Sequence, residues 1–275
     1  MKTIIFGFIG TILLVGNLFA AQPFFCDYET NSCGSTFDSG SGRDTYANFG
    51  ISGPTGGGSY GVKLHSTSGV DDAAHEIVYY NTNSTANPFY RIYFFLPTGY
   101  TANTNCAKTL KFMLMRSIGS GDQDLYLCRV GSNLQWNWQH SAVGYNSGAQ
   151  GTNISTNAWH YLEVNLNTTT DVVKLWFDSD ACDNPSSPTW TDSGASGPYN
   201  AAVTIFQLNE NWSGGLAPAT QNWYADHIAT TNGTCIGDTL DLLGGGSPPP
   251  DPPPGSPPPP AEHKTTHSKR KGRVH

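Results

Sequence analysis

The chain has 275 residues, of which only 13% are Asp, Glu, Lys or Arg and 31 are glycine, and this composition excludes a helical bundle or a coiled coil. Aromatic residues make up 12% of the chain, which favours flat, packed β-sheets. The net charge is −7, and residues 21–243 hold 8 basic against 19 acidic residues, so the body lacks the clustered cations that nucleic-acid binding needs.

The N-terminus has the features of a secretory signal peptide. Lys2 precedes an apolar run from Ile4 to Phe19, which is too short for a membrane span and ends in the small residues Ala20 and Ala21. We therefore predict a signal peptide over residues 1–21, an extracellular protein with no membrane span, and a folded domain over residues 22–243.

The cysteines fit an oxidising compartment. An even number of six in an exported chain predicts three disulfides, and no Cys-x-x-Cys pair favours zinc. Cys26 and Cys33 form a plausible local pair, but six cysteines allow 15 connectivities, so the sequence leaves the other pairings open. The predicted disulfide cysteines are Cys26, Cys33, Cys106, Cys128, Cys182 and Cys235.

The sequence of the predicted folded domain indicates short strands separated by turns rich in Gly, Pro, Asn and Ser. It contains no internal repeat and no convincing amphipathic helix. About a dozen such strands predict an all-β fold, a two-sheet antiparallel β-sandwich around one shared core. The clearest predicted strands are Tyr90–Leu96, Thr109–Arg116, Asp124–Val130, Leu134–His140, Trp159–Leu166, Val172–Asp178, Thr204–Leu208 and Trp223–Thr230.

The strand over residues 134–140 alternates without interruption between two kinds of side chain, so one of its faces must belong to the core. If the tryptophans are buried, the amides face outward and offer paired donors and acceptors to sugar hydroxyls. If the tryptophans face a groove, their rings stack on sugar rings. Both alternatives predict carbohydrate binding by this strand, with Gln135, Asn137 and Gln139 on one face and Leu134, Trp136, Trp138 and His140 on the other.

Further polar side chains extend this candidate substrate-binding set. Gln207 and Asn209 share one face of a later strand, and Arg91 and Tyr93 share one face of an earlier strand. Arg116 ends another strand. If these side chains converge on one concave sheet, their amides and guanidinium groups can hold a uronate or a sulfate with paired hydrogen bonds.

The C-terminal part of the chain is a different kind of segment. Residues 244–261 form a Gly/Pro-rich linker, with ten prolines between Ser247 and Pro260, and they predict a stiff polyproline II spacer. Residues 262–275 predict a basic, disordered tail that contacts an anionic wall or surface. If the chain passes through a eukaryotic secretory pathway, five sequons mark glycosylated turns, at Asn83, Asn153, Asn167, Asn211 and Asn232.

Three segments carry a resemblance to a known superfamily. Residues 157–166, N-A-W-H-Y-L-E-V-N-L, and residues 172–178, V-V-K-L-W-F-D, resemble paired strands of concanavalin A-like jelly rolls. Residues 223–231 resemble the closing strand of that fold, and residues 26–29 resemble the opening strand beside it. The resemblance covers about residues 24–237 and implies a jelly roll, a fold shared by lectins, laminin-G-like modules, glycoside hydrolases and polysaccharide lyases.

The activities of that superfamily imply different residues. The Glu-x-Asp-x-x-Glu pattern of the jelly-roll glucanases is absent, which argues against hydrolysis. A lyase requires a group that neutralises the uronate carboxylate, a base and an acid, and the chain offers such residues outside any complete lyase signature. The implied catalytic set for a lyase is His140 as base, Tyr93 as acid and Arg116 as neutraliser, with Arg91, Asn137 or Gln139 as other neutralisers, His160 as another base and Tyr126 as another acid.

The resemblance also implies a structural calcium ion between the opening and closing strands. Asp27, Glu29 and Asp226 stand at the matching positions, and carboxylate oxygens are the ligands that calcium prefers. The sequence thus predicts a secreted carbohydrate-binding protein that recognises a polysaccharide on its concave sheet. A polysaccharide lyase that cleaves a uronate polymer by β-elimination is the alternative, and a noncatalytic structural or adhesive wall protein is the second alternative.

Overall fold

The computed structural model describes residues 24–29, 42–66, 76–78, 87–104, 111–117, 121–140, 145–148, 150–167, 169–170, 172–192, 205–210 and 219–237. The predicted signal peptide, linker and tail lie outside these residues. Within them, no helix has the length and apolar character needed to cross a membrane.

The described chain forms fifteen strands and one short helix. They are β1 Phe24–Cys26, β2 Gly42–Thr45, α1 Tyr46–Phe49, β3 Tyr60–Ser66, β4 Glu76–Val78, β5 Pro88–Phe95, β6 Lys111–Ser117, β7 Gly121–Val130, β8 Asn133–His140, β9 Tyr145–Asn146, β10 Gln150–Ile154, β11 Trp159–Asn167, β12 Val172–Phe177, β13 Trp190–Asp192, β14 Ile205–Glu210 and β15 Gln221–Asn232.

Two antiparallel sheets contain all of these strands, which confirms the predicted all-β sandwich. The first sheet has eight strands in the order β13-β12-β11-β5-β15-β3-β2, with β1 paired to β15. The second sheet has seven strands in the order β10-β8-β7-β6-β14-β4, with β9 paired to β8. The chain therefore crosses between the sheets several times, as the jelly-roll topology requires.

A single large core lies between the two sheets. On β5 of the first sheet, Ile92 and Phe94 point into this core, and on β8 of the second sheet Trp136 and Trp138 do so. Phe94 contacts Trp136 edge to face, with their ring centroids 5.7 Å apart. Each fully buried side chain of this size contributes about 1.5–3 kcal/mol to stability, so this face of every central strand is fixed by packing.

The outer face of the first sheet is covered as well. Every residue of β5 is buried, including Arg91 and Tyr93, which point away from the core. Helix α1 covers one end of this face, and its Tyr46 ring lies so close to β3 that a Cβ atom on Gly61 would come within 2.6 Å of it. Glycine at position 61 therefore lets the helix pack directly on the sheet.

A disulfide bond covers the other end of the same face. It joins Cys182, in the loop after β12, to Cys235, in the segment after β15, at a sequence separation of 53. Cys26 and Cys128 each take part in a disulfide bond as well, and no described cysteine is free. The predicted pair of Cys26 with Cys33 cannot be placed because Cys33, like Cys106, lies outside the described residues.

Candidate functional site

Polar side chains occupy the outer face of the second sheet, at the positions that alternate with the core residues. In β8 these positions are held by amides, and the register places Tyr126 of β7 opposite Asn137 and Asp124 opposite Gln139. Lys111 of β6 lies opposite Tyr126 on the other side. We call this set the polar face, and it consists of Lys111, Asp124, Tyr126, Gln135, Asn137 and Gln139.

The centre of the polar face is a buried ion pair with a phenol attached. The Lys111 ammonium lies 3.3 Å from Oδ2 of Asp124, and the Tyr126 hydroxyl donates a hydrogen bond of 3.1 Å to the same oxygen. All three residues are at most 5% exposed. The lysine and the tyrosine are therefore held side by side by one carboxylate.

The amide row of β8 borders this centre. Asn137 is fully buried, and its Oδ1 accepts a hydrogen bond of 3.2 Å from the hydroxyl of Ser147, in the segment after β9. The Ser147 oxygen also accepts the backbone N–H of Trp138 at 2.9 Å. Gln135 and Gln139, on either side of Asn137, are only half-buried. The two glutamines are thus the amides of this row that reach solvent.

The burial of charged side chains, such as Lys111 and Asp124 on the outer face of the second sheet, is energetically expensive. The removal of a lysine and an aspartate from water costs several kcal/mol per ion, and a matched apolar pair is often more stable. A polar arrangement that breaks the usual packing rule is a common mark of a functional site. The polar face is therefore the strongest candidate for ligand contact among the residues that the structure describes.

Four of the other sequence-predicted residues belong to strands of the second sheet. Arg116 of β6 pairs with Ile205 of β14, and Gln207 of β14 pairs with Leu114 of β6. His140 ends β8, opposite Gln123. The backbone thus places Arg116, Gln207 and His140 in the same sheet as the amide row, and Asn209 follows in β14.

Arg91 and Tyr93 belong to the opposite side of the molecule. They lie on β5, on the outer face of the first sheet, so they do not converge with the amides of β8. The Arg91 guanidinium is fully buried, donates to Glu163 at 3.0 Å, and lies 4.4 Å from the ring centre of Tyr161. It is held inside the protein and does not present a free fork to a ligand.

The aromatic rings of β8 and the histidine of β11 point inward. Trp136 and Trp138 are at most 1% exposed, in the core between the sheets, where they cannot stack on a surface sugar. His160 packs against Phe94 and Phe177, and its Nδ1 lies 2.8 Å from Oδ2 of Asp178. The geometry therefore favours the alternative in which the amide row faces outward.

The opening and closing strands meet as the calcium prediction requires, since β1 pairs with β15. Asp226 accepts a hydrogen bond from the Tyr46 hydroxyl, and its Oδ2 lies 2.8 Å from Nδ1 of His227. Burial raises the pKa of Asp226 to about 6, although His227 and Tyr46 lower it in part. Burial, together with the Asp226 charge, also raises the pKa of Tyr46.

The other two predicted calcium ligands are occupied by protein donors. Oδ1 of Asp27 accepts the backbone N–H of Glu29, and Oε1 of Glu29 accepts the backbone N–H groups of Ser59 and Tyr60. No group of three or more His, Cys, Asp or Glu side chains suited to a metal ion occurs in the described parts of the chain. The calcium site stays a prediction, and backbone carbonyls or residues outside the description would have to complete it.

Lys111 and Asp124 are the central residues that the site prediction omitted. A lysine at the start of a predicted strand and an aspartate at the start of the next are individually ordinary surface residues. The available signal was the alternation of Asp124, Tyr126 and Cys128 along β7, which puts a carboxylate and a phenol on the face opposite Leu125 and Leu127.

Comparisons with known proteins bear on the fold. No protein-family model and no curated protein matches the chain. The solved structure of "Cellulose induced protein, Cip1" has a TM-score of 0.53 and 14% identity, covering 78% of this chain and 99% of that chain. This similarity shows the fold alone, a two-sheet β jelly roll.

Two further structures are similar at lower scores. The catalytic domain of the glycoside hydrolase family 131 protein from Coprinopsis cinerea has a TM-score of 0.41 and 16% identity, covering 72% of this chain and 81% of that chain. Alginate lyase vAL-1 from Chlorella virus has a TM-score of 0.37 and 10% identity, covering 62% of this chain and 89% of that chain.

Proposed function

We propose that this chain is an exported polysaccharide-binding protein and that the polar face is its binding surface. The observation that carries the proposal is the buried Lys111–Asp124–Tyr126 centre, flanked by the solvent-reaching amides Gln135 and Gln139. Amides provide both donors and acceptors, which suits hydroxyl groups, and a rigid floor beneath them limits the entropy lost on binding.

The fold and the disulfides support the proposal. The similar Cip1 structure is described as a cellulose-induced protein, so this fold occurs in a protein whose production responds to a polysaccharide. Cys182 and Cys235 form a disulfide, and none of the described cysteines is free, which is typical of proteins in an oxidising, extracellular environment. Export through the predicted signal peptide accounts for that environment.

A retention experiment tests this function. Electrophoresis through separate gels that contain cellulose derivatives, xylan, arabinan or alginate compares binding to neutral and acidic polymers side by side. We expect retention by at least one polymer, and the Gln135→Ala/Gln139→Ala variant should weaken it about tenfold, because each lost hydrogen bond costs about 0.5–1.5 kcal/mol.

The matched control is Asn48→Ala, which removes an exposed amide on α1, at the first sheet. Retention of the control should equal that of the unaltered protein. If no polymer retards the protein, or if the control and the double variant behave alike, the polar face is not a polysaccharide-binding surface.

One observation favours a second candidate, a uronate-specific lyase. The Tyr126 hydroxyl and the Lys111 ammonium share Oδ2 of Asp124, so the two kinds of group that protonate a leaving oxygen and neutralise a carboxylate lie side by side, although both side chains are at most 5% exposed. Elimination would break the C5–H bond and the C4–O bond and form a C4–C5 double bond. Among the described side chains of the polar face, no histidine is present to take the C5 proton, so binding is the better-supported function.

An absorbance assay separates the two functions. The double bond of an unsaturated uronate absorbs in the far ultraviolet, so incubation with alginate, glucuronan and glycosaminoglycans reveals a lyase directly. We expect no increase in absorbance. An increase that disappears in Tyr126→Phe would establish the lyase and replace simple binding as the function of the polar face.

A further inference from the structure

A cavity lies on the side of the molecule opposite the polar face, on the outer face of the first sheet. Its volume is about 260 Å³, a little below the range of about 300–1,000 Å³ that is usual for small-molecule sites. It suits one ring-sized polar molecule. The residues that line it are Asn87, Phe89, Asn165, Asn167, Lys174, Trp176, Ala181 and Pro185.

The cavity has an apolar wall and a polar floor. The rings of Phe89 and Trp176 stack with their centroids 6.4 Å apart, and the Trp176 indole N–H donates to the backbone carbonyl of Asn184 at 2.9 Å. On the floor, Nδ2 of Asn165 donates to Oδ1 of Asn87 at 2.8 Å. Because these bonds fix both the ring and the amide, the site is already formed before any ligand arrives.

One cation faces this cavity. Lys174 lies directly opposite Asn165 in the register, and of the described residues that line the cavity it alone is charged. Its ammonium has no ion-pair partner among the described residues, and it is half-buried. An unpaired, partly desolvated ammonium attracts an anionic group more strongly than an exposed one does.

The wall above the cavity is fixed by the disulfide. Ala181, next to Cys182, donates its backbone N–H to Oε2 of Glu163 at 3.1 Å, and Ile236, next to Cys235, donates its backbone N–H to Oε1 at 2.8 Å. The two segments that the disulfide joins are therefore both hydrogen-bonded to one buried carboxylate, that of Glu163. Arg91 neutralises that carboxylate, so it does not repel an anion in the neighbouring cavity.

We propose that this cavity is a second carbohydrate site, which binds a single acidic sugar residue such as a uronate. The sugar carboxylate pairs with Lys174, its hydroxyl groups bond to Asn165 and Asn167, and its carbon face contacts the Phe89–Trp176 wall. The site is independent of the polar face. Because the two sites lie on opposite sheets, the protein can connect two separate glycan chains.

Nuclear magnetic resonance tests the proposal, with the Trp176 indole N–H as a reporter at the cavity wall. The full chain, labelled with nitrogen-15 and made without N-glycans because Asn167 is a sequon residue, is titrated with glucuronate, galacturonate, glucose, galactose and acetate. We expect a saturable shift of the Trp176 signal with at least one uronate, and about tenfold weaker binding of both the matching neutral sugar and acetate.

Two variants and one matched control assign the binding. Lys174→Met should weaken uronate binding about tenfold or more, whereas Lys63→Met should not, because Lys63 lies four strands away on the same sheet, roughly 19 Å distant. Asn167→Asp keeps the side-chain oxygen that accepts the N–H groups of Thr169 and Thr170, so the turn is preserved, yet its charge should reduce uronate binding.

The outcomes separate this site from the polar face. If no uronate shifts the Trp176 signal, if acetate binds as well as the uronate, or if Lys174→Met binds as well as the unaltered chain, the second site is refuted, whatever the gel retention shows. If Gln135→Ala/Gln139→Ala loses gel retention but keeps the uronate-dependent shift, the two sites are independent as proposed.

Discussion

The buried pair of Arg91 and Glu163 gives the sharpest stability prediction. In Glu163→Gln the side chain keeps its shape but loses its charge, which leaves a fully buried guanidinium without its anion. The Nε of Arg91 already has no hydrogen-bond partner among the described residues. Removing one partner of a buried pair costs about 3–5 kcal/mol, and the new amide cannot accept all three donors that the carboxylate accepts.

We therefore expect Glu163→Gln to lower the free energy of unfolding by about 4 kcal/mol or more. For a domain of this size, 1 kcal/mol corresponds to about 2–4 °C, so Tm should fall by about 8–16 °C. Urea unfolding followed by tryptophan fluorescence, with the disulfides intact, measures the free energy. Hydrogen exchange at the backbone N–H groups of Ala181 and Ile236 should accelerate more than exchange at β8.

Glu29→Gln is the matched control, because Oε1 of Glu29 accepts two backbone N–H groups, and Arg43 donates to the backbone carbonyl of Glu29, which the substitution keeps. Its free energy of unfolding should change by less than about 1 kcal/mol. Adding Arg91→Met to Glu163→Gln removes the uncompensated cation and should recover most of the loss. A Glu163→Gln protein within 1 kcal/mol of the unaltered chain, or a double variant without recovery, would refute this account.

Four further predictions concern separate parts of the molecule. Cys182→Ser/Cys235→Ser should cost about 4 kcal/mol in urea unfolding, from the chain entropy of a 53-residue loop, and a loss below 1 kcal/mol would contradict this. Because the pKa of Asp226 is raised to about 6, the folded state binds a proton more tightly than the unfolded state does. In EDTA, the free energy of unfolding of the unaltered chain should therefore fall, relative to that of Asp226→Asn, by about 2–3 kcal/mol as the pH rises from about 4 to 6. Parallel pH profiles of the two proteins would contradict this prediction. If calcium binds beside Asp226, millimolar CaCl₂ should raise the Tm of the unaltered chain and not that of Asp226→Asn, whereas equal Tm values with CaCl₂ and EDTA would exclude the ion. Deleting residues 244–275 should abolish retention on anionic surfaces and leave retention in the gels of neutral polymers unchanged; unchanged surface retention would remove the tail from that role.

The strands and their faces were largely predictable from the sequence. Alternation over residues 134–140 correctly placed Gln135, Asn137 and Gln139 on one face, and the predicted Leu134–His140 strand differs from β8 by one residue. Packing explains this success, because a one-residue slip would have moved both tryptophans out of the core.

The assembly of the strands into sheets was not predictable in the same way. Arg91 and Tyr93 look like neighbours of the amide row, but β5 pairs with β11 and β15 in the other sheet. These pairings connect residues far apart in sequence, and no local pattern encodes them. The buried pairs of Arg91 with Glu163 and of Lys111 with Asp124 were missed for the same reason.

The position of β15 in the first sheet has a consequence for biosynthesis. It is the last strand of the described chain, yet it lies between β5 and β3 and also pairs with β1. Until residues 221–232 have left the ribosome, β5 and β3 keep unpaired edges, which are prone to wrong association. The first sheet therefore cannot close until all the strands that precede β15 have been synthesised, so its completion is a late event in folding.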